Sequence, residues 1–565
     1  MLSITLNPGF VCIIAALLAL GTPRGLRAPL MAGAALLALW LMLDREFGAA
    51  TAAAQMGLPV VLLSLDALNR IFGIAMLIAL IAISICSGAR RSRSEDVAIL
   101  LMAGGAVSAL FVGDLISFVA ATALAGLAMA WLVFSSPVEN AARSGVRLLI
   151  WQGVEGLLFL VGVAFQLSAG AESSIFARLD IATIGGASIF TALMIRVGAP
   201  FAHVWLKDAS AHASPVGAGA VSVFSSMLGV YALARLFPAE PILAPIGLAM
   251  GVIGVAYAMA EDDLRRAAAS GLTAQTGVCV ALIGVGSPLA MAAAEGHAFA
   301  LIFAFLAMQL VLGAVLGRTG HVKQSEIEGL VRVMPISSLL LIASGLAVAA
   351  APGFALYATT VIALEATAQW ELEWAWILMA SVSPALLVAL MLRPAMTAFR
   401  SALPAPIKEA PFPMLLGAAL AVFFCLAVGL APAWLYGLLP TELAFEPYAI
   451  DRMAPQLELL GAAGVIYVVL RALRLAPQPR AGGLLDVDAF YRGPAAGAGR
   501  WVGVVLLRLY GAWQALLGRV ASQLARAAGR WSRNCDRPYR VRAAGVVQLA
   551  ALAVLVAVAM FWRVS

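Results

Sequence analysis

Apolar segments of roughly 20 residues follow one another along almost the whole chain, and only short polar stretches separate them. An α-helix of about 20 residues rises about 30 Å, which is enough to cross the hydrocarbon core of a bilayer. The 565 residues are 63% hydrophobic and 12% charged, a balance that excludes an ordinary soluble fold. The sequence therefore predicts an all-α polytopic membrane protein with about 14–16 transmembrane helices.

The predicted spans are continuous apolar stretches bounded by charged or turn-forming residues. They cover residues 6–21, 29–43, 66–86, 97–112, 114–134, 147–167, 181–200, 213–237, 243–260, 267–285, 297–316, 334–367, 374–392, 412–432, 457–474 and 543–562. If the N-terminus lies outside, 29 of the 36 lysine and arginine residues, Lys207 among them, fall in cytoplasmic loops and four fall outside. Because basic residues stay on the cytoplasmic side, we expect this orientation, with both termini outside.

The stretch from Arg196 to Arg235 combines charges with helix breaks. Proline removes a backbone donor, so Gly198-Ala199-Pro200 and Ser214-Pro215 each predict an interruption. Non-helical backbone at membrane depth is tolerated only where protein or a wet cavity satisfies its polar groups. Charged residues at that depth are costly, and they indicate a functional site.

Two strings in this stretch carry a family resemblance: Pro200 to Ala209 reads P-F-A-H-V-W-L-K-D-A, and 211–216 reads A-H-A-S-P-V. They resemble the signature of the antiporter-like membrane subunits of respiratory complex I and of Mrp-type multisubunit cation/proton antiporters. Arg196 falls on the family's lysine, and Lys207 replaces a proline. Weaker strings, such as Gly296-His297-Ala298-Phe299 and Pro352-Gly353-Phe354, extend the resemblance over about residues 60–400. The string L-D-V-D-A-F-Y-R at 485–492 is similar to Mrp D-type subunits and favours the Mrp side.

The resemblance implies two discontinuous helices, the seventh and the twelfth, in inverted five-helix repeats. Five regions are expected: N-terminal transmembrane helices at 1–95, a proton-translocation core at 96–400, further helices at 401–475, an arginine-rich cytoplasmic or interfacial segment at 476–542, and a terminal helix at 543–565. In the arginine-rich segment, apolar residues recur at helical spacing. This pattern is typical of a helix that binds anionic lipid at the membrane surface. A solvated basic loop is the alternative, and a nucleic-acid arm is disfavoured because predicted spans flank the segment.

The family moves protons along the membrane midplane through a glutamate, lysines and histidines. This chain departs from that pattern at four aligned positions, which read Ala123, Met227, Leu301 and Thr360, and Arg196 replaces the central lysine. Arginine stays protonated because its pKa exceeds 12, so it relays protons poorly. We therefore expect a proton path that is weakened or lost.

The candidate path residues are the ionisable or polar groups that remain in these segments. They are Arg196, His203, Lys207, Asp208, His212, His297, Glu155 and Thr360. A purely structural role competes with proton relay for each histidine, since histidine can bond carbonyls freed at a broken helix. Arg196 is expected either to pair with Glu155, which would replace the missing fifth-span glutamate, or to bond backbone carbonyls.

Three functions stay open at this stage. The first is a conducting membrane subunit of an Mrp-type antiporter or of a complex-I-like membrane arm, and the second is a non-conducting structural subunit of such an assembly. The third is an energy-coupling partner of a soluble enzyme, in inorganic-carbon uptake or with a membrane hydrogenase. We expect other membrane subunits as partners, no nucleic acid, and a bacterial inner-membrane location. The scattered cysteines and the lack of a phosphate-binding loop predict no metal, no cofactor and no catalytic chemistry within the chain.

Overall fold

The computed structural model describes residues 6–48, 50–55, 58–89, 92–170, 173–370, 373–399, 407–441, 443–476 and 496–534. Within these ranges the chain is helical apart from one β-hairpin, so the predicted all-α membrane fold is confirmed. The chain forms two compact units, Met1–Leu484 and Leu485–Ser565. The string at 485–492 and the predicted span 543–562 lie outside the described residues.

The first unit opens with three helices and the hairpin. These are α1 (Pro8–Gly21), α2 (Arg24–Leu43), β1 (Ala50–Gln55), β2 (Leu58–Ser64) and α3 (Ala67–Ser87). The strands pair antiparallel. Strand β2 is also hydrogen-bonded to the loop between the fourth and fifth helices of the chain. There, the Val61 amide donates to the Asp114 carboxylate at 2.8 Å, and the Gly113 amide donates to the Val61 carbonyl at 2.9 Å. The sequence analysis did not predict this hairpin.

A first run of membrane segments follows: α4 (Arg93–Phe111), α5 (Leu115–Phe134), α6 (Ala141–Ser168), α7 (Ile184–Val197), α8 (Val204–His212), α9 (Gly217–Phe224) and α10 (Ser226–Leu236). Ser92, Asp114 and Thr183 cap α4, α5 and α7, since each side chain accepts a backbone amide of the first turn. The predicted seventh span, 181–200, contains α7, and after a break at Val197 the chain continues as a second helix, α8, in what was predicted to be a loop.

A second run repeats this order: α11 (Leu243–Ala260), α12 (Leu264–Val285), α13 (Pro288–Thr319), α14 (Leu330–Val333), α15 (Pro335–Val348), α16 (Ala355–Ala368), α17 (Glu373–Leu386), a π-helical segment (Leu387–Leu392) and α18 (Arg393–Ala398). The predicted twelfth span is two helices, α15 and α16, with a break after Val348. The fourth membrane segment of each run is therefore interrupted, which confirms both predicted breaks.

The first unit ends with α19 (Phe412–Leu430), α20 (Pro432–Tyr436) and α21 (Ile450–Ala472), and the second unit contains α22 (Ala496–Asn534). By length and composition, twelve helices among the described residues can cross a membrane. Four shorter apolar helices, α1, α7, α15 and α16, coincide with predicted spans or with halves of them.

Helices α11 and α12 pack backbone against backbone at the centre of the first unit. A Cβ on Gly247 would lie 2.3 Å from the Ala281 nitrogen, and one on Gly277 would lie 2.4 Å from the Gly247 carbonyl oxygen. Small residues at such positions let membrane helices approach closely. Van der Waals contacts then hold the helices together, because the hydrophobic effect does not drive their association within lipid. This contact fixes α12, which carries several of the buried polar residues described below.

Candidate functional site

The break between α7 and α8 is held open by side chains that satisfy its free backbone groups. Gly198 adopts the left-handed conformation with φ of 75°, which ends α7. The Trp205 indole on α8 donates to the Ile195 carbonyl at 2.8 Å, so α8 is tied to the last turn of α7. The break also approaches α12, because a Cβ on Gly198 would lie 3.8 Å from the Thr273 hydroxyl oxygen.

Arg196, in the last turn of α7, forms an ion pair with Glu155 of α6. Both side chains are buried, with Arg196 4% and Glu155 1% exposed, and the contact joins Nε of the arginine to Oε1 of the carboxylate. Of the two alternatives that the sequence left open for Arg196, the structure therefore shows the pairing with Glu155. The opposite charges compensate each other at a depth where either alone would be costly.

The α5 residue that faces this pair is Thr122. Its carbonyl oxygen lies 3.5 Å from Nη2 of Arg196, and its side chain is buried. Ala123, which the sequence alignment set at the family's glutamate position, is exposed on the outer surface of the bundle. Thr122 rather than Ala123 therefore faces the pair, and neither residue supplies the missing acid.

Lys207, predicted to lie in a cytoplasmic loop, is fully buried within α8. Its Nζ lies 3.7 Å from the centre of the Tyr257 ring on α11, a cation–π contact. The ring of His203, one turn earlier, lies 5.2 Å from the same tyrosine ring. The loop prediction for Lys207 was wrong because the flanking proline breaks resemble the ends of a loop in a hydropathy pattern.

Asp208 and His212 form a separate cluster at the end of α8. Asp208 accepts two hydrogen bonds from Arg147 of α6, at 2.7 and 2.8 Å, and its carboxylate lies 3.2 Å from Nδ1 of His212. The Ser144 hydroxyl of α6 donates to the Asp208 carbonyl at 3.2 Å. This bidentate geometry holds α8 against α6.

His297 of α13 is fully buried and bonded on both ring nitrogens. Its Nδ1 lies 3.0 Å from the Thr359 hydroxyl of α16, and its Nε2 lies 3.1 Å from Oε1 of Gln275 on α12. Gln275 in turn donates to the Val348 carbonyl at 3.1 Å. A carbonyl can only accept, so the Gln275 amide is oriented with its oxygen towards His297, and Nε2 must carry a proton.

Thr359 lets this histidine hold one proton or two. In the neutral ring, the Thr359 hydroxyl donates to Nδ1; in the charged ring, Nδ1 donates and the hydroxyl turns to the Leu356 carbonyl, 3.2 Å away. Rotation of a single hydroxyl therefore suffices for proton uptake. Thr360, the residue named from the alignment, is buried, and its hydroxyl has no hydrogen-bond partner among the described residues.

Sequence reasoning missed Tyr257, Gln275 and Thr359 as partners of the candidate residues. All three are polar residues in the middle of apolar helices, and that was the available signal. The structure brings Arg196 to Glu155, and His203 and Lys207 to Tyr257, while His297 lies with Gln275 and Thr359. Asp208 and His212 bond instead to Arg147 and to each other.

Residues 112–387 match the family described as NADH:quinone oxidoreductase/Mrp antiporter, transmembrane. This part of the chain belongs to the antiporter-like membrane subunit family. A curated relative, NADH-quinone oxidoreductase subunit N 2 of Solidesulfovibrio magneticus, is 25% identical over 319 residues, which cover 53% of this chain and 68% of the relative. The resemblance inferred from the sequence is thus confirmed.

Two solved structures show the same fold. A chain of the Mrp complex from Dietzia sp. DQ12-45-1b aligns with a TM-score of 0.66 at 17% identity, over 82% of this chain and 95% of its own length. A chain of the membrane-bound sulfane sulfur reductase, an archaeal respiratory membrane complex, aligns with a TM-score of 0.69 at 18% identity, over 98% of this chain and 99% of its own. At these identities the likeness shows the fold alone.

Proposed function

We propose that this multi-pass membrane protein is one subunit of a multisubunit proton- or cation-translocating assembly in a bacterial cytoplasmic membrane. The family match over 112–387 and the likeness to chains of two membrane complexes support this proposal. The comparisons do not favour a membrane partner of a soluble carbon-uptake or hydrogenase enzyme.

The proton path is proposed to be weakened at its first site. The observation that carries this proposal is the buried ion pair between Arg196 and Glu155. A lysine at this place would release its proton when its environment changed, whereas a guanidinium with a pKa above 12 keeps its charge. The pair therefore stabilises the fold and fixes a local charge, but it does not pass protons on.

We propose that two groups, Lys207 and His297, can still accept and release protons. Lys207 is fully buried against Tyr257, and buried lysines readily change protonation state. His297 has a hydroxyl partner that accommodates both of its charge states. Between them, α12 presents buried polar side chains: Ser270, Thr273, Gln275 and Thr276. Water wires along such side chains would complete a slow path.

The test is to restore the lysine. In proteoliposomes containing the whole assembly and a pH-sensitive dye, Arg196→Lys should increase proton translocation attributable to this subunit by roughly a hundredfold, the lower end of what one well-placed acid–base group contributes. Arg178→Lys is the matched control, because the Arg178 side chain is 57% exposed. No increase with Arg196→Lys, at wild-type protein levels, would show that the path is not limited at this site.

We further infer that α22 lies in the membrane interface with its arginines on anionic lipid. Leu509, Trp513, Leu516 and Val520 recur at spacings of three and four residues on one face. Arg508, Arg519 and Arg526 lie together on a neighbouring face, about 100° around the helix, and all seven side chains are exposed. A basic stripe beside an apolar one is typical of helices that lie along a lipid surface, where the arginines reach the headgroups.

A further inference from the structure

Glu295 is a buried carboxylate that the path described above does not use. It lies two turns inside α13 and is 5% exposed. Its Oε2 is buried and has no hydrogen-bond partner among the described residues. A buried carboxylate without a hydrogen-bond partner for Oε2 is costly in its charged form. Its presence therefore indicates a functional role.

An ion pair joins two helices that pack against α13. Arg235, at the end of α10, bonds Asp66, the N-cap residue of α3, at 2.5 Å. The Asp66 side chain is 32% exposed, that of Arg235 13%, and Glu295 5%. These three residues therefore lead inward from the face where α3 begins, which the charge distribution predicts to be the outer face. Nε of Arg235 is also buried without a hydrogen-bond partner in the described chain.

Glu295 and His297 present opposite faces of α13. Two residues along an α-helix turn the side chain by about 200°. His297 contacts α12 and α16, so Glu295 is turned away from those two helices, and α3 and α10 also pack against α13. Tyr231, one turn before Arg235, donates to the Leu110 carbonyl at 2.8 Å. The helices packed on α13 carry these other titratable or charged groups: Arg70 and Cys86 on α3, Arg265, Arg266 and Cys279 on α12, Tyr357 and Glu365 on α16, and Cys425 on α19.

We propose that Glu295 is the proton-accepting group of an outer access path that Asp66 and Arg235 form. A hydronium ion that enters beside Asp66 gives its proton to Oε2 of Glu295, and the water molecule returns. Arg235 positions the site, because its guanidinium bonds Asp66 and lies over the rings of Phe176 and Tyr231, at 4.9 and 5.4 Å. This inference rests on the proposed function, and it names the residue through which protons reach α13.

The experiment has two arms, both on the complete assembly in sealed vesicles. In the first, dicyclohexylcarbodiimide, which attacks protonated carboxyl groups in apolar surroundings, is added from the outer side, and modified peptides are identified by mass spectrometry. We expect modification at Glu295 that falls as the outer pH rises, and none at that position in Glu295→Gln. In the second arm, proton translocation should fall by roughly tenfold or more in Glu295→Gln and be retained in Glu295→Asp, since only the latter keeps a carboxyl group.

Glu365→Gln is the matched control, because Glu365 is an exposed carboxylate on the neighbouring helix α16. It should translocate protons as wild type does. Wild-type translocation by Glu295→Gln, or an unmodified Glu295 in the folded assembly, would overturn the access path. If wild type itself moves no protons, the proposed function fails while the labelling arm still decides whether Glu295 takes up protons from outside.

Discussion

At the scale of single residues, the pair formed by Arg196 and Glu155 determines how this chain departs from its family. The sequence offered this contact as one of two alternatives, because the chain has an arginine at the family's lysine position and an acid in the sixth span. It did not predict that Thr122 faces the pair, since one residue of slip in an apolar helix leaves no trace in hydropathy. The sequence also misplaced Lys207, whose burial depends on the Tyr257 ring of a helix about 50 residues away.

The same pair supports a prediction about stability. Arg196→Ala leaves the Glu155 carboxylate buried without its partner, which should lower the free energy of unfolding by about 3–5 kcal/mol. The double variant Arg196→Ala, Glu155→Leu removes both charges and should recover most of the loss. The measurement is the thermal unfolding midpoint of the purified protein in detergent.

Arg178→Ala serves as the control for that measurement. Arg178 lies 3.9 Å from Glu240 and is largely exposed, so its removal should change stability by no more than about 0.5 kcal/mol. If Arg196→Ala unfolds at the wild-type temperature, the pair does not stabilise the fold.

At the scale of helices, both breaks were predictable and their partners were not. Proline and glycine predict the interruptions at 198–200 and 351–353 from the local sequence alone, because these residues disrupt a helix whatever packs against it. The groups that satisfy them come from distant segments: Trp205 bonds the Ile195 carbonyl, Gln275 bonds the Val348 carbonyl, and the Gly353 amide donates to the Tyr448 hydroxyl at 3.2 Å. The hairpin at 50–64 was missed because short apolar strands beside long apolar helices carry no separate signal.

For α22, the neighbouring apolar and basic faces predict a salt-sensitive affinity for anionic lipid. Replacing Arg508, Arg519 and Arg526 with glutamine removes three charges, each worth about 1 kcal/mol near an anionic surface. A peptide of residues 496–534 should therefore bind vesicles of phosphatidylglycerol in phosphatidylcholine roughly a hundredfold more weakly after the change. Flotation of the peptide with vesicles measures the binding.

The control peptide carries Gln514, Ser522 and Gln523 replaced with alanine, which leaves every arginine in place. It should bind as the unmodified peptide does. On vesicles of pure phosphatidylcholine, which carry no net charge, all three peptides should bind alike. Equal binding of the glutamine-substituted peptide and the unmodified peptide to the phosphatidylglycerol vesicles would contradict a role for the arginines.

At the scale of the whole molecule, the order of helices and their orientation are separate predictions. The order is confirmed by two runs with corresponding breaks and by the family match. The orientation rests on charge alone: without the buried Lys207, 28 basic residues lie in segments assigned to one side and four in segments assigned to the other. Apolar packing within the bundle would be the same in either orientation, so the fold cannot supply this information.

Cysteine labelling in intact cells tests the orientation. The described cysteines, Cys12, Cys86, Cys279 and Cys425, are all buried, so replacing Cys535 with serine gives a background with little reaction. Ser522→Cys lies in the arginine-rich segment and Ser168→Cys at the end of α6, and both side chains are exposed. Because basic segments stay in the cytoplasm, a membrane-impermeant maleimide should label Ser168→Cys in intact cells, and Ser522→Cys only after the cells are opened. The reverse pattern would invert the assignment of faces, and with it the side from which protons reach Glu295.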